Sequence, residues 1–106
     1  MKRGMMILAV ILTARLGVVN YNGHRETWYN LNMNRIVERA DSYYGITDVY
    51  VIREDGVKTY NGFVMCAGAK ERYGEVVETS RGIGIILDTG EFAIKDPAAI
   101  DIATAW

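Results

Sequence analysis

Cysteine, histidine and proline each occur once in this chain, and no excess of positive charge is present. Each scarcity excludes something. A single cysteine, Cys66, cannot form an internal disulfide. Its setting, Phe63-Val64-Met65-Cys66-Ala67, reads as a buried strand, and an activated thiolate needs a nearby cation or histidine, so Cys66 is expected to be a structural thiol. A Ser-His-Asp site, a Cys-His site or a zinc centre would all depend on His24. That residue sits in a polar stretch, Asn20–Arg25, and neither a metal centre nor a cofactor is expected. Twelve basic residues against thirteen acidic ones give a net charge of −1. No basic field points to nucleic acid. Long apolar runs are missing too: Met5–Ala14 ends at Arg15 and is too short to span a bilayer on its own.

What is present is globular. Half of the 106 residues are hydrophobic and 24% are charged, enough for one domain with one modest core. No internal repeat or low-complexity tract divides the chain. Residues 1–25 form an apolar segment and a turn. The segment starts with Lys2 and Arg3 before the apolar run, a pattern that fits an export signal or anchor and equally a buried first element. Contact with a membrane would have to come through it. Within it, Asn22-Gly23 is a turn signal.

Residues 26–106 carry the pattern of a small, mainly β domain. Glu26–Asn30 is rich in β-formers. One helix is expected over Met33–Tyr44, where Met33, Ile36, Val37, Ala40 and Tyr44 form one apolar stripe. Asn32 or Asn34 suits its start, and Gly45 the left-handed position past its end. The expected role of this helix is to cover an open face of the sheet. Strands follow at Val49–Arg53, Val57–Tyr60, Phe63–Ala67, Glu75–Thr79, Ile83–Leu87 and Ile100–Thr104, with Gly68–Gly74 as a polar loop. Gly82 and Gly84 mark a bend or a close backbone approach. Pro97 lies in the Lys95-Asp96-Pro97 turn. About five or six short strands, one helix and glycine turns argue a small β-barrel with Phe63–Ala67, Ile83–Leu87 and Ile100–Thr104 at its centre.

Packing explains two residues least. Asp88 ends the apolar run Ile83–Leu87, and Asp101 lies inside another, Ala98–Ala103. An ionised carboxylate in such a setting costs several kcal/mol unless it is paired or protonated. Asp88-Thr89-Gly90 after an apolar strand has two readings. One is a homodimeric aspartic protease, whose two carboxylates share a proton across a dimer axis; that family places the triplet near the start of its chain. The other is the three-aspartate (3D) domain, a double-psi β-barrel found in membrane-bound lytic transglycosylase A and stationary-phase survival proteins and related to rare lipoprotein A. Its signature resembles Asp88-Thr89-Gly90, Ala93-Ile94-Lys95 and Ile100-Asp101. Glu91 stands where the family has a second glycine, and nothing acidic lies near Ala67, where its first aspartate is expected.

The resemblance implies a double-psi barrel with a covering helix, located outside the cytoplasm, that cleaves peptidoglycan or another glycan without a cofactor. It implies Asp101 as the acid/base and Asp88 as its neighbour, with a 1,6-anhydro sugar as product. Thr89 would hydrogen-bond Asp88, and Thr89, Gly90 and Tyr29 would contact substrate. Tyr29, Trp28 and Tyr73 offer faces on which sugars stack, or else belong to the core. The alternative function is a barrel that kept the groove for cell-wall binding or a structural role and lost catalysis with the first aspartate.

Overall fold

The computed structural model describes residues 18–106, so the apolar run Met5–Ala14 lies outside the described residues. The chain is mainly β: one sheet curls into a half-barrel and carries one helix of any length. Its strands are β1 (Val19–Tyr21), β2 (His24–Tyr29), β3 (Tyr50–Ile52), β4 (Lys58–Tyr60), β5 (Phe63–Gly68), β6 (Val76–Thr79), β7 (Gly82–Thr89) and β8 (Ile100–Ala103). Helix α1 spans Asn34–Tyr44, and a single helical turn, α2, spans Phe92–Lys95. Among the described residues no helix is long and apolar enough to cross a membrane.

Strand β5 is the hub. It pairs in parallel with β7 along one edge; its other edge pairs antiparallel with β4 and then with β8. β8 in turn pairs in parallel with β2. The three apolar runs expected at the centre are these central strands. Among the described residues there are eight strands, where the sequence pattern indicated five or six. The expected turn at Asn22-Gly23 joins two strands: β1 and β2 form a hairpin around it, with Val19 opposite Glu26. Polar and charged side chains suit such an edge hairpin because its outer side meets water.

Alternation along β5 and β8 builds two separate cores. Met65, Ile85, Leu87 and Ala103 face α1, where Met33 and Ala40 are buried and Ile36 and Val37 pack against them. This is the helix face. Val64, Cys66, Ile86, Ile100 and Ile102 fill the opposite face. The helix thus covers one face of the sheet. Asn32 Oδ1 accepts from the Asn34 N–H at its start, and Gly45, at φ 70°, ends it. Gly84 is glycine because β7 lies tight on its neighbours: a Cβ there would stand 2.8 Å from Cys66 Sγ and 3.1 Å from the Val64 carbonyl. Cys66 is buried, and burial pushes its thiol well above the usual range, as a structural thiol requires.

A buried carboxylate on β2 ties the first hairpin to the β6–β7 turn. Glu26 is fully buried. Its Oε1 accepts from the Ser80 hydroxyl at 2.6 Å, its Oε2 accepts from the Ser80 N–H at 3.0 Å, and His24 Nε2 lies 2.8 Å from Oε2. His24 therefore serves a structural carboxylate and not a nucleophile.

Candidate functional site

Four strands set one row of residues across the helix face. Thr27 on β2 pairs with Asp101 on β8, Asp101 with Ala67 on β5, and Ala67 with Asp88 on β7. Paired residues project to the same side of a sheet. Asp88 and Asp101 are thus two strands apart with the methyl of Ala67 between them, about 10 Å from Cα to Cα by ordinary strand spacing.

Simple alternation would not put Asp88 there. Ile85 faces α1 and Ile86 faces away, so a regular strand would turn Asp88 to the opposite, apolar face. A β-bulge prevents this. Cys66 pairs with Ile86 but Ala67 pairs with Asp88, leaving Leu87 as the extra residue. The bulge re-aims the side chain after it and brings Asp88 to the side of Asp101.

The two acids differ in their partners. Both Asp88 oxygens are taken: the Thr89 N–H donates to Oδ1 at 2.8 Å, and the Tyr29 hydroxyl donates to Oδ2 at 3.0 Å. The expected Thr89 contact therefore comes from its backbone and not its hydroxyl. Tyr29 reaches Asp88 past β8 and β5, and the small Ala67 leaves it room. Burial, followed by the nearby Asp88 and Asp101 carboxylates, pushes the Tyr29 phenol far above its usual range, so it remains a donor. Asp101 accepts from the Thr27 hydroxyl at Oδ1, 2.8 Å away, while its Oδ2 takes no hydrogen bond from the described residues. Burial raises the Asp101 pKa, the Thr27 hydrogen bond opposes the rise, and the Asp88 charge adds to it.

Open space lies at both ends of the row. Beyond Asp88 is a groove of about 500 Å³ whose lining includes Lys70, Glu71, Thr89, Gly90, Ile94 and Pro97, a size ordinary for ligand sites. Its walls are tied together by Arg72, which pairs with Glu75 and donates to the Pro97 carbonyl at 3.1 Å. Beyond Thr27, the neighbour of Asp101, is a recess of about 90 Å³ that Thr27 lines with Arg25, Phe92, Asp96 and Ala99. Turn α2 contributes to both, Ile94 to the groove and Phe92 to the recess. Gly90 is glycine because a Cβ there would collide with the Phe92 ring.

Of the sequence-derived site residues, Asp88, Asp101 and Tyr29 come together, and Thr89 and Gly90 line the adjoining groove. The sequence left Tyr29, Trp28 and Tyr73 open between sugar stacking and the core. Tyr29 turns its hydroxyl to Asp88 and its ring to the core. Trp28 lies against Trp106 at 6.0 Å. Tyr73 is covered by the Arg39 guanidinium at 4.7 Å. Phe92 lines the smaller recess. Sequence reasoning missed Thr27, Arg25 and Phe92. Thr27 carried one signal, a β-former in the strand segment Glu26–Asn30. Among the described residues no cluster of three or more metal-ligating side chains is present.

Comparison of the chain with protein-family models, with curated proteins and with solved structures gives no match.

Proposed function

We propose that this domain cleaves a β-1,4-linked glycan of the peptidoglycan class, outside the cytoplasm, with Asp101 as a single acid/base. The supporting observation is the asymmetry of the two acids. Asp101 has a raised pKa and one unoccupied oxygen, while Asp88 is held at both oxygens. An acid poised nearer the working pH is the better proton donor.

Protonated Asp101 gives its proton to the glycosidic oxygen as the C1–O4 bond breaks. The C6 hydroxyl of the same sugar then attacks C1, and its proton returns to Asp101. A C1–O6 bond replaces the C1–O4 bond, no water is consumed, and a 1,6-anhydro sugar results. One acid/base suffices, whereas ordinary glycosidases need two carboxyl groups in distinct roles. Asp88 supports the protonated form of Asp101 through its charge, and Tyr29 and the Thr89 N–H hold Asp88 in place.

A second reading, a glycan-binding barrel without catalysis, is favoured by Ala67. It stands between the two acids, near where the three-aspartate family's first aspartate is expected, and Tyr29 uses the space. The protease reading is disfavoured, because Asp88 has both oxygens satisfied within one chain. Digestion of peptidoglycan in heavy-oxygen water separates these. The first reading expects 1,6-anhydro muropeptides without heavy oxygen. Labelled reducing ends would show hydrolysis and refute it, and binding without products would leave the second reading standing.

A further inference from the structure

One aromatic ring belongs to neither core and is nonetheless held in place. Tyr43, near the end of α1, is 68% exposed. Tyr44 meets its ring edge-to-face at 4.8 Å, and Tyr73 does so at 5.5 Å. Tyr73 is fixed in turn, because it packs on the core beneath α1 and carries the Arg39 guanidinium over its ring. Edge-to-face pairs are favourable beyond their burial, so Tyr43 offers solvent a ring of set orientation. The cluster stands next to the site. Tyr73 directly follows the turn Lys70–Arg72, whose Lys70 and Glu71 line the groove of about 500 Å³. The Gly74 N–H donates to the Ile86 carbonyl at 2.6 Å. That bond sets the segment beside β7 two residues before Asp88, about 7 Å along the strand. Tyr73 and Tyr29 pack on the same core, and from it Tyr29 reaches Asp88. The acids and the tyrosines thus share the helix face of the sheet.

We propose that Tyr43 is a distal sugar platform, on which a pyranose ring stacks when a glycan chain runs from Asp101 through the groove and past Tyr73. The inference rests on the glycan reading above and adds a binding contact remote from the two acids. A β-1,4-linked pyranose carries C–H groups on its faces and hydroxyls at its rim. The C–H groups suit the negative face of the Tyr43 ring. Tyr44 and Arg39, both exposed beside it, bring donors for the rim. A ring held in advance loses little freedom on binding. A chain that occupies the site and the platform together gains from the linkage between them, whereas a chain too short to span both does not.

The test is an NMR titration of the full chain carrying Asp101→Asn, so that the probes are not cleaved. The probes are peptide-free peptidoglycan strands, a disaccharide and an octasaccharide. Adding Tyr43→Ala is expected to weaken octasaccharide binding about fivefold, the scale of one aromatic contact, and to leave disaccharide binding unchanged. Tyr43→Phe keeps the ring face and is expected to bind both probes as its parent does. An octasaccharide affinity that Tyr43→Ala does not change, or a Tyr43→Phe as weak as Tyr43→Ala, would overturn the platform and leave the glycan reading intact. An equal loss for the disaccharide would overturn it too, since the ring would then act through the fold. Tyr43 and Tyr44 resonances that shift with protein concentration alone would give the rings to a second copy of the chain and also overturn it. Binding of neither probe by the parent would overturn both readings.

Discussion

Ser80→Ala is a surface substitution that should behave like a core one. Ser80 is exposed, and changes at exposed positions away from special features usually stay within about 0.5 kcal/mol. Its hydroxyl, however, donates to the fully buried Glu26 carboxylate at 2.6 Å, in the range of short charge-assisted bonds. Hydrogen bonds to charged groups contribute about 1.5–3 kcal/mol. The variant keeps the Ser80 N–H and His24 as partners of Glu26, so the carboxylate is weakened and not orphaned. A loss of about 2 kcal/mol is therefore expected, a fall in Tm of roughly 10 °C for a domain of this size. Urea and thermal melts read it directly. Ser42→Ala, on the exposed side of α1, serves as the control and should change stability by less than about 0.5 kcal/mol. If Ser80→Ala melts with that control, Glu26 does not clasp the first hairpin to the β6–β7 turn as argued.

Asp101→Asn should stabilise the fold at neutral pH. The folded Asp101 pKa is raised by burial and by Asp88, so the native state binds this proton more tightly than the unfolded chain. Stability is therefore lost as pH rises from the unfolded value of about 3.9 through the folded one. The variant should melt above the wild type at about pH 7 and level with it near pH 3; a lower melt at neutral pH would contradict the raised pKa. On the helix, Ile36→Asp should cost about 2–3 kcal/mol because Ile36 packs on the core beneath α1. Glu38→Ala should cost less than about 0.5 kcal/mol, and equal losses in denaturant melts would mean the buried stripe is misassigned.

Local pattern carried the elements well. The stripe from Met33 to Tyr44 located α1 to within one residue at its start, and Gly45 closed it as its conformation required. The central strands were legible because both of their faces are buried, which leaves apolar runs. Asp88 and Asp101 stood out for the same reason. What joins them was not legible. Their shared face depends on a bulge at Leu87 and on the pairing of Ala67 with both strands, neither of which has a local signature. Thr27 and Asp101 are 74 residues apart in the chain, and Glu26 and Ser80 are 54 apart. Contacts at such separation are set by topology and not by neighbouring residues. Turn α2 was missed because four residues show no period. The Asn22-Gly23 turn was legible, but the two strands of the β1–β2 hairpin beside it were not, because edge strands carry polar side chains.

The central claim is that Asp101 is the proton donor and Asp88 its supporting neighbour. Insoluble peptidoglycan, digested by the wild type, Asp101→Asn and Asp88→Asn at equal folded concentration, tests it most directly by counting 1,6-anhydro ends in the mass spectrum. The account predicts anhydro ends from the wild type, none from Asp101→Asn, and fewer from Asp88→Asn, because loss of a like charge lowers the Asp101 pKa. Anhydro ends formed by Asp101→Asn at the wild-type rate would contradict it.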